Sequence, residues 1–482
     1  SSISAVFSLS ITSLGFIMSF PWQERPLREL IRLAWPIALS MVSYSVMTVV
    51  DTLLIGHVGR AELAGVGLGG VSAFVLLCFS FGLLQGAKVL VSQAIGAKRS
   101  DRAIAYLGAA VVTALIIGFI TVIIGQAVAL VIGRLASTEA AGQAAGTYLR
   151  IRILGAPLAL LYVALREVRY AEGDPQSPMR ATIAAQATNI TLAFTFIFIL
   201  HWGVAGAAFA TVLAHGVEAG TLSLAQRSRG FGLRVVRRQH VVELFRMGLP
   251  TGLQFGLEVG AFATLSLMIS LFSEVEMASH HIAIQVIHLS FLPAMAVAEA
   301  ASVLTGQAVG AGAYGFVKRV AHLAMAITAV YAGAWSLLLA LGAPLIASVF
   351  TADPGVISVA VTLLHVAAVF QIFDASNIVA RCSLRGAGDV RYAAVVGVLT
   401  SWLCTPTLAW LLGRHYKLGA FGGWLGLCLE IIVSSSILWW RIERRGWLAA
   451  ATLSRARLVA DVPVEEHELE TIAASAMTST SA

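Results

Sequence analysis

Charge is what this sequence has least of. Of its 482 residues only 12% are Asp, Glu, Lys or Arg, while 58% are hydrophobic; a water-soluble domain carries roughly 25% charged residues. So few charges cannot cover a surface of this size, which excludes a soluble globular protein. The basic excess, a formal net charge of +7, sits in loops between apolar runs rather than on faces interleaved with aromatics, which argues against nucleic acid as a partner. Cysteine is also scarce. Cys78, Cys382, Cys404 and Cys428 each lie inside an apolar run, without the paired spacing of a zinc site or redox dithiol. The first 20 residues contain no Lys or Arg and so lack the basic segment of a secretory signal; Met18 is read as the natural start.

What is present is apolar sequence in long runs. A helix of about 20 residues crosses roughly 30 Å of hydrocarbon. Runs of that length predict an all-α membrane protein with twelve transmembrane helices, near 30–56, 64–92, 104–133, 145–165, 178–200, 204–226, 241–271, 278–307, 317–347, 356–380, 391–412 and 419–440. Alternate loops, beginning with the N-terminal one, hold most of the basic residues, including Arg25, Lys98, Arg166, Arg229, Lys318, Arg381, Arg385 and Arg441. The other loops hold only Arg60, Arg134, Arg150, Arg152, Arg414 and Lys417. By the positive-inside rule both termini are expected in the cytoplasm, with the chain in the plasma (inner) membrane. Lys88 falls within helix two and is read as snorkelling from near the helix end.

The two halves repeat. A shift of 214 positions sets Pro36 on Pro250, Glu62 on Glu276, Gln93 on Gln307 and Gly96 on Gly310, and a shift of 215 sets Arg166 on Arg381 and Gly173-Asp174 on Gly388-Asp389. An even number of helices per repeat makes it parallel. The expected organisation is an N-terminal extension (1–24), a six-helix lobe (25–226), a cytoplasmic linker (227–240), a second lobe (241–446) related to the first by a pseudo-twofold axis, and an unstructured cytoplasmic tail (447–482). Gly82-x-x-x-Gly86 and Gly252-x-x-x-Gly256-x-x-x-Gly260 are read as helix-packing motifs.

Val50-Asp51-Thr52 followed by Gly56-His57-Val58-Gly59 and Ala64-Gly65-Val66-Gly67 resembles the first helical hairpin of the multidrug and toxic compound extrusion (MATE) family. Ser92-Gln93-Ala94-Ile95-Gly96-Ala97, Gly306-Gln307-Ala308-Val309-Gly310-Ala311 and Leu384-Arg385-Gly386-Ala387-Gly388-Asp389 add to the likeness, which covers about residues 25–445. The resemblance implies a two-lobe antiporter, working as a monomer among membrane lipids without a cofactor. It would export organic, often cationic or amphipathic compounds in exchange for protons or sodium ions.

Among acids within apolar runs four stand out: Asp51, Glu258, Glu299 and Asp374. An ionisable group there costs roughly 3 kcal/mol or more and normally faces a cavity or a partner. Such a carboxyl is carried most cheaply with a proton or a cation on it, so one site can serve coupling ion and cargo in turn. The resemblance implies ion or substrate binding for Glu258 and Asp374, which match NorM-type positions, and cation coupling for Asp51. Glu299 departs from the NorM pattern, although some DinF-type members carry an acid near it. The helix-five aspartate of the archaeal branch is here Ala193, leaving Asn189 to hydrogen-bond Asp51. Tyr44, Tyr162, Asn189, Phe255 and Gln285 are further candidates to line a cavity, and a sodium ion would sit at Asp51, Glu258 or Asp374. His280, His281 and His288 would need ligands from another helix to bind a metal.

The nearest competing function is a flippase for lipid-linked saccharides, which a cavity lined by several cations would favour. An intramembrane enzyme would need a metal cluster or nucleophile and base at matched depth. The repeat is one of scaffold and not of charge: Leu265 matches Asp51, Tyr44 matches Glu258 and Ala159 matches Asp374.

Overall fold

The protein is described by a computed structural model over residues 20–136 and 138–460; Met18 and the acidic and Ser/Thr/Ala stretches after 460 lie outside these. Among the described residues twelve helices are long and apolar enough to cross a membrane. They are α1 (Pro26–Gly56), α2 (Arg60–Gly96), α3 (Ser100–Leu135), α4 (Glu139–Ala171), α5 (Gln176–Ile199), α6 (Gly203–Arg227), α7 (Arg238–Ser270), α8 (Glu274–Gly310), α9 (Tyr314–Phe350), α10 (Pro354–Gly386), α11 (Val390–His415) and α12 (Gly419–Glu443). In hydrocarbon a backbone amide has no water to bond, so apolar runs close their own helical hydrogen bonds. Side chains cap several starts: Thr138, Ser273 and Asp353 accept backbone N–H groups at the beginnings of α4, α8 and α10.

Several helices outrun their apolar cores. The 37 residues of α2, α8 and α9 make rods of about 55 Å. This overrun corrects one expectation: Arg381 and Arg385, read as loop residues, belong to the last turns of α10, as Arg166 belongs to α4. Helix four is also longer than predicted, and a 3-10 turn at Ile153–Gly155, just before Pro157, offsets its two segments.

A second correction concerns the tail. The part of it that is described is not unstructured but forms α13 (Leu448–Val459). Trp447, Ala451, Ser454 and Leu458 recur at helical spacing and are all buried; a stripe this narrow does not raise the averaged hydropathy of the segment.

The halves meet chiefly through α1 and α2 on one side and α7 and α8 on the other. Gly82 abuts Gly252 and Gly86 abuts Gly248, so that a Cβ at Gly82 would lie 2.7 Å from the Gly252 Cα and one at Gly86 2.8 Å from the Gly248 nitrogen. In the motif beginning at Gly252 the close approach to the other half is made by the first glycine; nothing approaches Gly256, and Gly260 faces Trp402. Gly86→Leu should therefore force α2 and α7 apart and cost about 1–3 kcal/mol. Thermal unfolding in detergent checks this, with Gly256→Leu as the harmless comparison.

At the end of the molecule that carries α13, the closure is reciprocal. Gln93 Nε2 donates to the Gly386 carbonyl at the end of α10, and Gln307 Nε2 donates to the Ala171 carbonyl at the end of α4, both at 3.0 Å. Each half thus satisfies a terminal carbonyl of the other. Ser454 of α13 donates to Gln93 Oε1 at 2.5 Å and Arg455 to the Gly310 carbonyl at 3.2 Å, so α13 lies across the seam.

Candidate functional site

In the second half, α7, α8, α10, α11 and α12 enclose a cavity of about 510 Å³, with Phe74 of α2 at its margin. Its wall brings together Glu258, Asp374 and a third acid, Glu430, with Phe255, Phe262 and Phe291. Acids and aromatics face one space because α7 and α10 turn these positions inward while Leu257 and Ile372 remain exposed outward. Such a space can hold a flat or bulky organic molecule and offer it charge on one side.

The cavity also holds two arginines. Arg381 Nη1 donates to both oxygens of Glu258, at 3.0 and 2.9 Å, and Gln254 Nε2 donates to Glu258 Oε1 at 2.7 Å. Arg385 has no carboxylate: its Nη2 donates to Gln254 Oε1 at 2.9 Å, its Nη1 to Gln85 Oε1 at 3.2 Å, and its guanidinium lies 5.2 Å from the Phe255 ring centre. Asp374 and Glu430 line the same space, and among the described residues neither makes a hydrogen bond to Arg381. Sequence reasoning missed Glu430, although it stands in the middle of an apolar run, where the criterion that singled out the other four acids also applies. It missed both arginines because the apolar run of helix ten ends before them.

Glu299 lies elsewhere. It pairs with Lys88 of α2, which also approaches Glu167 Oε2 of α4 at 3.3 Å. Glu167 Oε1 accepts from Arg166 Nη2 at 2.8 Å. Lys88 is 2% exposed; it does not snorkel, because the two carboxylates hold its ammonium inside the bundle. The cluster spans both halves near their closed end.

Asp51 is also apart from the cavity. Its Oδ1 is buried with no hydrogen-bond partner, and the expected bond from Asn189 is not made: Asn189 Nδ2 points to Thr211 Oγ1 at 3.4 Å. Tyr44 and Tyr162 do not line the cavity either. The Tyr44 hydroxyl donates to Glu218, which His215 Nδ1 approaches at 3.3 Å, and Tyr162 bonds Thr182 at 2.6 Å. These residues sit in the first half and are not among those lining the cavity. Gln285 is exposed and is not among the residues lining the cavity, whereas Phe255 takes its expected place. Among the histidines, His280 accepts from Trp424 Nε1 and contacts Ser266 Oγ, both at 3.0 Å. No metal-binding group of three or more His, Cys, Asp or Glu occurs among the described residues.

The family profile MatE matches residues 36–195 and 250–411, so it finds the same unit twice with starting points at Pro36 and Pro250. A protein of Rhodopseudomonas palustris described as a probable multidrug resistance protein NorM is 30% identical over 465 residues, which is 92% of this chain and 97% of that one. A protein of the same description from Acinetobacter baylyi is 27% identical, over 87% of this chain and 96% of its own length. The fold superposes with a TM-score of 0.82 on a multidrug resistance MATE transporter solved in an outward-facing conformation, at 22% identity over 88% of this chain and 96% of that one. Doubled profile, full-length relatives and shared fold together place the chain in the multidrug and toxic compound extrusion family, as a multi-pass membrane transporter.

Proposed function

We propose that this transporter is a secondary antiporter that exports organic cations in exchange for protons or sodium ions by alternating access. The observation that carries the reading is the 510 Å³ cavity in which Glu258, Asp374 and Glu430 share a wall with phenylalanines. An amphipathic cation finds there an apolar surface and a negative end, and costly membrane carboxylates find a charge to balance. The relatives' description as multidrug resistance proteins points the same way.

Glu258 serves as the coupling carboxylate, exchanging Arg381 for an incoming proton or sodium ion, and Asp374 stands beside it. Asp51 is a separate coupling site in the first half, where its unpartnered oxygen awaits a cation. The Lys88, Glu167 and Glu299 cluster belongs to the closure of the halves. That closed end bears the loops richest in Lys and Arg, which makes it cytoplasmic by the positive-inside rule and the conformation outward-facing.

The saccharide-flippase reading gains from Arg381 and Arg385, which do line the cavity. Arg381, however, is spent on Glu258, and Arg385 is surrounded by glutamine and phenylalanine, so one cation rather than a cationic basin remains for a pyrophosphate. Proteoliposomes with imposed proton or sodium gradients should accumulate a fluorescent organic cation under at least one of the two. Absence of movement under both, with a lipid-linked saccharide moved instead, defeats the proposal.

A further inference from the structure

We propose that Glu430 of α12 is the carboxylate that meets the positive charge of the cargo, an organic cation with an aromatic or aliphatic body. This rests on the export reading above and assigns a role within its cavity. The titratable and charged groups sharing that space are Glu258 on α7, His288 on α8, and Asp374, Arg381, Cys382 and Arg385 on α10. Glu258 already has a guanidinium and an amide on it. Glu430 has neither. Its one hydrogen bond comes from Thr400 Oγ1 at 3.3 Å, and that hydroxyl is shared with the Val396 carbonyl at 2.9 Å. At 7% exposure Glu430 is nearly withdrawn from solvent, and among the described residues no cationic side chain donates to it.

A second observation on the same wall points to a ligand. Thr405 lines the cavity, is 2% exposed, and its hydroxyl has no partner. Buried hydroxyls are almost always satisfied, so an orphan on the wall that also carries Glu430 is what a polar or charged ligand there would complete. The internal repeat adds a third argument. The left-handed turns at Gly203 and Gly419, which open α6 and α12, set Ala214 opposite Glu430. The scaffold therefore does not need an acid there, and its packing is met elsewhere by alanine.

The test uses the full chain purified in detergent, titrated calorimetrically with tetraphenylphosphonium and with uncharged triphenylphosphine oxide. Glu430→Gln should weaken binding of the cation about tenfold or more and leave the neutral compound within about twofold. Glu430→Asp, which keeps the charge, should restore most of the affinity. Equal loss for both compounds would assign Glu430 a structural role, and unchanged cation binding in Glu430→Gln would remove it from the site; either overturns the assignment. If Glu430→Gln does not fold, Glu430→Ala, the residue at the matching position 214 of the other half, takes its place: loss confined to the cation supports the proposal, and equal loss for both compounds or unchanged cation binding overturns it. A wild-type protein that binds and transports cations while Glu430→Gln binds them normally defeats this assignment alone. A wild-type protein that binds no cation defeats the export reading together with it.

Discussion

Lys88→Met is expected to be the most damaging single substitution in the membrane region. It leaves Glu167 with Arg166, but strands Glu299, 4% exposed, without a counter-charge. Removing one member of a buried ion cluster typically costs about 3–5 kcal/mol, because the uncompensated charge remains inside. The cost should fall on the closure of the halves, since Lys88 and Glu299 come from opposite ones while Lys88 and Glu167 share one. Glu299→Gln should cost less, as Lys88 keeps Glu167, and the double variant Lys88→Met/Glu299→Gln should recover much of the lost stability. Chemical or thermal unfolding in detergent measures all four proteins. A Lys88→Met protein as stable as wild type would show that the cluster contributes nothing to closure.

The second large effect is expected at Glu258. Replacing it with glutamine removes the one carboxylate bonded to Arg381 among the described residues and with it the competition between that guanidinium and an incoming ion. Coupling free energies of 1–3 kcal/mol correspond to about 5- to 150-fold, so gradient-driven transport should fall within that range and lose its response to the driving ion. Transport rates in proteoliposomes, measured with and without the gradient, decide it. Retention of a gradient response in Glu258→Gln would move the coupling role to Asp374 or Asp51.

The difference between Glu258 and Glu430 explains much of what could and could not be read in advance. Both are acids in the middle of apolar helices, and hydropathy treats them alike. Their surroundings diverge because α10 carries Arg381 to within 3 Å of Glu258, while Glu430 makes no hydrogen bond to it. Lys88 offers the same lesson from the other sign: near a helix end, snorkelling is the cheaper course for a lone lysine, but two carboxylates from α4 and α8 reverse that choice. Asn189 and Tyr44 have plausible partners by helix and depth, yet side-chain direction gives them Thr211 and Glu218 instead.

Hydrocarbon thickness and the lack of water in it impose twelve helices on a sequence with so little charge. The doubled pattern of prolines, glutamines and glycines imposes equivalent helices in the two halves and the glycine crossings that let them approach. These are local or periodic properties, and a linear sequence displays them. Which acids share a cavity, which already own a cation, and which oxygen is left unsatisfied depend on how five helices rotate about their axes when packed. A few tens of degrees of rotation, set by contacts distant in the chain, decide whether a carboxylate meets an arginine or an empty space.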